Sequence, residues 1–427
     1  MVSVQALLLA TLALTADAIT SPDRSRPLSP QLKAKLDVGF STAVREKRVP
    51  GITALALNRD GSIIYNNSFG TVNIDDPSSA PVTANTKMAI ASMTKAVVSV
   101  AALQLVEQKK LNLDDPIEKY IPSWANLSVI TGFSPSGEPI LRPPKFKAKV
   151  IHLLTHTAGP AYFFDNENIK KWQTWVAKQP SPPPQPLAAD PGTGWFYGPG
   201  TATLGHVIEA ISGLRLDVYL NKHIFGPLGI SPNTTGIVKP DMWSHFRSPD
   251  GTIVPDTSAP VQPPDDPFGD AYLISTITDY ANFLLPLIND GRHPKSDVQI
   301  LSPETAKKYL FTDLYPKSLT APGFTPGKKE AGPGLGNWIS SDPVLTNNYT
   351  FFPGIKKGWS SLWLLNKQDL PGRRRAMSGT WAGIMNTYYW VDDRSGKLGI
   401  VMTSLLPFLD GEVLKLFDLL EEVVYDC

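Results

Sequence analysis

Apolar residues recur every four positions at Leu32, Leu36, Phe40 and Val44, which predicts an amphipathic helix with one stripe facing a core. Beyond it two apolar runs, 52–57 and 63–65, flank Asp60-Gly61. That dipeptide signals a hairpin, because both central residues of a tight two-residue turn need positive φ. The far end repeats the arrangement in reverse order. Runs at 387–391 and 398–403 flank Ser395-Gly396, and Val413, Leu416, Phe417, Leu420 and Val424 form a last helical stripe. A helix and a hairpin at each end predict one antiparallel sheet flanked by N- and C-terminal helices. The middle reads differently. Residues from about 115 to 240 carry helical stretches such as Thr201 to Ile211, so a helical insertion splits an α/β (α+β) body. The Pro-rich runs at 180–186 and 260–267 read as connecting loops rather than as ligands for a proline-binding module.

Composition narrows the function. Of 427 residues, 42% are apolar, enough for a buried core over most of the length. Lys and Arg number 40 against 39 Asp and Glu, a net charge of +1, so the basic surface that nucleic acid requires is missing. The single cysteine, Cys427, excludes a disulfide within the chain and a cysteine-based metal cluster. The apolar run from Ala6 to Leu14, followed by Ala16-Asp17-Ala18, has the length and the small-x-small ending of a secretory signal peptide over residues 1–18. It is too short to span a bilayer. No Lys or Arg precedes the run, so a buried first helix in a cytoplasmic protein stands as the alternative. Asn66, Asn126, Asn233 and Asn348 begin Asn-x-Ser/Thr triplets, glycosylation acceptors in a secreted glycoprotein.

Ser92 is followed three residues later by Lys95, and the stretch from Ala96 to Leu105 is almost wholly apolar. Such a helix is buried on nearly all sides. Residues three apart share a face, so Ser92 and Lys95 are neighbours on its first turn. Desolvation favours a neutral amine, which can take the proton of an adjacent hydroxyl. The helix N-terminus adds free N–H groups beside Ser92. A nucleophile with its base and half an oxyanion hole is one reading. A helix-capping serine with a snorkelling lysine is the other, and the helix by itself does not choose. His152 and His156, four apart, invite a metal reading, but neither the glutamate of a zinc-peptidase helix nor a third ligand accompanies them.

The balance is tipped by segments in order along the chain: Ile90-Ala91-Ser92-Met93-Thr94-Lys95, Leu113-Asp114-Asp115-Pro116, and His152-Leu153-Leu154-Thr155-His156-Thr157-Ala158-Gly159. They continue with Asp190-Pro191-Gly192, Trp195-Phe196-Tyr197-Gly198, Gly226-Pro227-Leu228-Gly229-Ile230 and Trp381-Ala382-Gly383-Ile384-Met385-Asn386. From about 45 to 405 the chain resembles the class C β-lactamase and penicillin-recognising serine family, and within it the fungal transesterases of statin-type polyketide pathways. The resemblance implies a β-lactamase/transpeptidase-like catalytic domain over residues 25–427 and an acyl-enzyme reaction without metal or cofactor. It implies Ser92 as nucleophile, Lys95 as base, and Tyr197 as the tyrosine that shares proton transfer and protonates the leaving group. The backbone N–H groups of Ser92 and Ile384 would form the oxyanion hole. Taken alone, Tyr197 also suits a core aromatic with a satisfied hydroxyl.

Three departures bear on substrate. The asparagine of the family's Tyr-x-Asn motif is absent, since Gly198 and Pro199 follow Tyr197. The lysine and threonine of its Lys-Thr-Gly strand are Trp381 and Ala382, which removes the groups that would pair with a penicillin carboxylate. The glycine-rich loop reads Phe268-Gly269-Asp270-Ala271. Trp381 and Gly383 beside the nucleophile, with an apolar wall extended by Tyr162, Phe163, Phe164 and Trp195, suit a neutral acyl chain or polycyclic alcohol better than a β-lactam. The expected partners are a small-molecule acyl donor, ester or thioester, and an alcohol acceptor. Arg373-Arg374-Arg375 reads as a solvated turn, or as a contact for an acidic acyl-carrier protein. Transfer to an alcohol in secondary metabolism and hydrolysis by a secreted esterase both remain open. So does a non-catalytic binding protein, motivated by the missing asparagine and the altered glycine loop.

Overall fold

The predicted pieces meet in one sheet. A computed structural model describes residues 27–257, 266–319 and 334–426. The N-terminal segment read as a signal peptide, most of the 260–267 proline run and Cys427 lie outside the described residues. Helix α1 (Pro30–Arg45) starts at a Ser29 cap with proline in its first turn, and buries Leu36, Phe40 and Ala43. Strands β1 (Ile52–Asn58) and β2 (Ile63–Phe69) follow as the first hairpin. Its turn differs from the expected two-residue form. Four residues connect the strands, only Gly61 has positive φ (76°), and the Asp60 carboxylate accepts the Ser62 N–H at 2.8 Å. An aspartate that fixes the turn through its side chain has no need of a left-handed backbone.

Later in the chain come β3 (Lys357–Trp359), β4 (Leu364–Asn366), β5 (Gly379–Gly383), β6 (Thr387–Asp392) and β7 (Lys397–Met402). They join the first hairpin in a seven-stranded sheet, all pairs antiparallel, in the order β3-β4-β5-β6-β7-β1-β2. The last helix, Gly411–Tyr425, packs beside α1 on one face. Strand alternation decides what the other face receives. Tyr388 and Trp390 point at the last helix through Phe417, whereas Trp381 and its cross-strand partner Tyr389 point the opposite way.

That second face carries the helical body. Helix α2 (Thr94–Glu107) is buried at every position from Thr94 to Leu105, as its composition requires. It packs on α3 (Gly200–Ser212), and a short helix at Val150–Leu154 packs on α3 in turn. The helix Ile277–Leu284 fills the space between β1, β7 and the turn before α2. Between residues 115 and 240 the structure also holds a hairpin, Val129–Phe133 with Pro139–Arg142, over a small separate core of Ile130, Ile169, Trp172 and Phe196. No helix among the described residues is long and apolar enough to cross a membrane. Asn66, Asn126, Asn233 and Asn348 are all exposed.

The basic triplet is not a solvated turn. Arg374 is 1% exposed and forms a two-pronged ion pair with Glu421 of the last helix, also 1% exposed. Arg373 pairs with Asp418 and Glu422, and Arg375 with Asp369. Arg374 is thus answered inside the fold, while Arg375 stays largely exposed beside Asp369.

Candidate active site

Ser92 lies on a tight turn, Ala91–Met93, that leads into α2. The residue before it, Ala91, has φ of 43°, a left-handed conformation that costs a non-glycine residue roughly 1–3 kcal/mol. That strain sits beside the candidate nucleophile and turns its side chain out of the helix start. One turn on, Lys95 is 2% exposed. Its Nζ donates to Ser92 Oγ at 3.0 Å, to the Tyr162 hydroxyl at 2.9 Å and to the Asp270 carbonyl at 2.8 Å. Burial pulls the Lys95 amine down to about 8, against the opposing pull of Asp270.

Tyr197 arrives from a distant segment just before α3. Its position depends on Gly198, where a Cβ would stand 2.3 Å from the Pro160 carbonyl oxygen. The glycine therefore lets the 160–162 and 197–198 segments run against each other, with Tyr162 N–H donating to the Tyr197 carbonyl at 3.1 Å. Two phenols reach Lys95 by this route. Nζ stands 5.0 Å from the Tyr197 ring centre and 5.1 Å from that of Tyr162. The Tyr197 hydroxyl accepts the Trp381 indole N–H at 3.0 Å and shares the cleft with Ser92, which favours its ionised form. A phenol next to a cation is expected to ionise more easily. Here burial prevails, and the Tyr197 hydroxyl is held far above the ordinary phenol range, as a proton donor.

Strand β5 closes the site. Gly383 sits where a Cβ would come within 2.3 Å of the Ile90 carbonyl oxygen and 2.5 Å of Thr387 Oγ1. Only glycine allows β5 to approach the turn before Ser92 this closely, and the approach brings Ile384 to the cleft that Ser92 lines. Gly383→Ala is expected to push the strand away and lower kcat about 100-fold, the scale of an ångström-level misplacement. Steady-state kinetics beside a thermal melt would check that the loss is catalytic rather than structural.

Ser92, Phe164, Tyr197, Trp338, Trp381, Ala382, Ile384 and Phe408 surround this cleft. Its free space is small, about 10 Å³, room for about one water. Two larger hollows, about 300 and 520 Å³, share no lining residue with it. The wall is apolar, as Trp381 in place of a lysine implies.

Two residues assigned to substrate have other places. Trp195 is buried behind Tyr197, in an aromatic nest with His156, Trp359 and Trp381. Tyr162 offers its hydroxyl to Lys95 and donates to the Asp270 carboxylate, so it acts through hydrogen bonds rather than as an apolar wall. His152 accepts the Lys149 N–H at 3.1 Å and caps its own helix. The buried His156 ring packs 4.7 Å from the Tyr197 ring, and burial lowers its proton affinity well below the usual imidazole range. Asp270 was not singled out by sequence reasoning. Its one signal was its place in the altered glycine loop, where Gly269 lets the chain pass within contact of the Thr201 carbonyl.

Proteins similar to this chain include named enzymes. The chain is 26% identical to a lovastatin esterase from Penicillium rubens, over 89% of this chain and 94% of the relative. It is 26% identical to a monacolin J acid methylbutanoyltransferase from Aspergillus terreus, over 91% and 95%. A solved mutant of simvastatin synthase from Aspergillus terreus superposes with a TM-score of 0.76 at 25% identity, covering 93% of this chain and 98% of that one. The family model described as Beta-lactamase matches residues 36–420, nearly the whole described fold, and the chain belongs to that family.

Proposed function

We propose that this protein is a serine acyltransferase that moves a small neutral acyl group from an ester or thioester to the hydroxyl of an apolar molecule. One observation carries the reading: Ser92, Lys95 and Tyr197 are in mutual reach at the mouth of an apolar cleft. Neutral Lys95 takes the Ser92 proton while Oγ attacks the acyl carbonyl. The oxyanion is received between the N–H groups of Ser92 and Ile384. Tyr197 gives its proton to the departing oxygen or sulfur, and the Lys95 ammonium beneath its ring stabilises the phenolate. In the second half the phenolate takes the proton of the incoming alcohol as it attacks the acyl-enzyme. Lys95 then returns its proton to Ser92 Oγ, and every group regains its starting state.

Transfer is favoured over hydrolysis by the apolar aromatic lining of the cleft, which suits an apolar alcohol better than water. The statin-related names of the similar proteins support an apolar polycyclic acceptor. A penicillin-type substrate has no cation to meet its carboxylate on the strand, because Trp381 holds that place. Of the two motives for a non-catalytic reading, the altered glycine loop is weakened, since it delivers Asp270 to Lys95.

Intact-protein mass spectrometry after exposure to p-nitrophenyl butyrate and to a butyryl thioester tests this. The expected result is a butyryl adduct on the peptide containing Ser92, discharged faster by an apolar alcohol than by water. An adduct elsewhere, or none, removes the proposal. With the amine at about 8, kcat/KM is expected to rise as pH increases through 8 and then level off, losing tenfold per unit on the acid side. A rate–pH profile from 6 to 10 reads this directly.

A further inference from the structure

Lys95 has three N–H bonds as an ammonium and three acceptors around it: Ser92 Oγ, the Tyr162 hydroxyl and the Asp270 carbonyl. A neutral amine keeps only two N–H bonds and one lone pair. If the two protein acceptors that take no part in the reaction hold those two, the lone pair is left facing Ser92. Both acceptors lead to one residue. Asp270 supplies the carbonyl directly, and its carboxylate receives the Tyr162 proton. We propose that Asp270 is the positioning residue of this site: through its carbonyl and through Tyr162 it turns the Lys95 lone pair toward Ser92, and its carboxylate matches the charge of the ammonium formed in the reaction. The proposal rests on the acyl-enzyme reading above and assigns the orientation of its base.

The surroundings of Lys95 leave the balancing charge to Asp270. From the segment after residue 154, Tyr162 and His156 face it, and Asp165 lies beyond them near the two phenols. Burial drives Asp165 well above the ordinary carboxyl range, toward its neutral acid, and His156 toward its neutral ring. Tyr197, before α3, and Tyr162 both stay protonated through burial. Asp270 is the group whose charge opposes the desolvation of the amine. The phenol–carboxylate link is also geometrically protected, since Asp270 is 5% exposed and follows Gly269, whose close approach to Thr201 fixes the loop.

Asp270→Asn tests the assignment, because asparagine keeps the backbone carbonyl and can still accept from Tyr162 while losing the negative charge. Without that charge the Lys95 ammonium is less favoured, so the amine is neutral at lower pH. The acid limb of kcat/KM is expected to move down by about one pH unit. A merely structural role would lower the plateau and leave the limb in place. Tyr162→Phe gives the second arm: one of the two fixed acceptors is lost, and kcat is expected to fall at least tenfold with KM little changed. The wild type is profiled beside both variants, with fluorophosphonate labelling of Ser92 followed over the same pH range. A wild type that neither turns over nor labels defeats the acyl-enzyme reading and this proposal with it. A wild type that titrates, with the Asp270→Asn profile superposing on it or Tyr162→Phe keeping full kcat, defeats the role of Asp270 alone.

Discussion

Ser92→Ala is expected to remove both ester turnover and fluorophosphonate labelling, with kcat falling by about 10⁴-fold or more. The size follows from the geometry. No second hydroxyl shares the position: Lys95 directs one N–H to Ser92, and its others are occupied by Tyr162 and the Asp270 carbonyl. The two phenols nearby cannot substitute, since burial holds both far above the range in which they would ionise. Folding should survive, because on loss of the Ser92 hydroxyl Lys95 keeps two acceptors and the Tyr197 hydroxyl keeps the Trp381 indole N–H. Activity and labelling measured together distinguish this from trivial inactivity. Residual turnover within tenfold of wild type would mean that another group is acylated, and the assignment of the nucleophile would be wrong.

The expectations met the structure best where the chemistry is local. Ser92 and Lys95 are three residues apart on one turn, so helix geometry alone brought them together. The hairpins and terminal helices were legible for the same reason, their signals being periodic and short-ranged. Tyr197 had no local signal, and only the resemblance of Trp195-Phe196-Tyr197-Gly198 to a known motif raised it above the other aromatics. Asp270 was beyond either approach, and Tyr162 was reached only as part of an apolar wall. They meet Lys95 across 175 and 67 residues of chain, from loops with no periodicity, and their importance lies in backbone and hydroxyl contacts that residue type does not announce. Trp195 was misplaced because a tryptophan packed behind a functional tyrosine and one lining a pocket look alike in sequence.

The buried charge at Arg374 could have been seen, and it sets the largest expected effect on stability. Glu421 lies four residues after Phe417 and three before Val424, squarely on the apolar stripe of the last helix, where a carboxylate needs a partner. The partner is Arg374: its Nε and Nη2 reach Glu421 at 2.7 and 2.6 Å, and its guanidinium stacks 5.4 to 5.9 Å from the rings of Phe352, Trp390 and Phe417. Glu421→Leu would leave the arginine desolvated among aromatic rings, with no direct ion-pair partner and only the charges of Asp392 and Asp418 nearby. A loss of about 3–5 kcal/mol is expected, read as a fall in the urea midpoint at constant slope. Adding Arg374→Met to the same chain should recover most of that loss, since two charges that leave together take their desolvation cost with them. The strand that carries Trp381 and Gly383 begins five residues after Arg374, so the pair ties the active-site strand to the helix on its opposite face. The single variant should therefore lose activity at the temperature where it begins to unfold, while the double variant keeps it. A single variant as stable as wild type would mean that water reaches the pair and that the strand is held in place by packing alone.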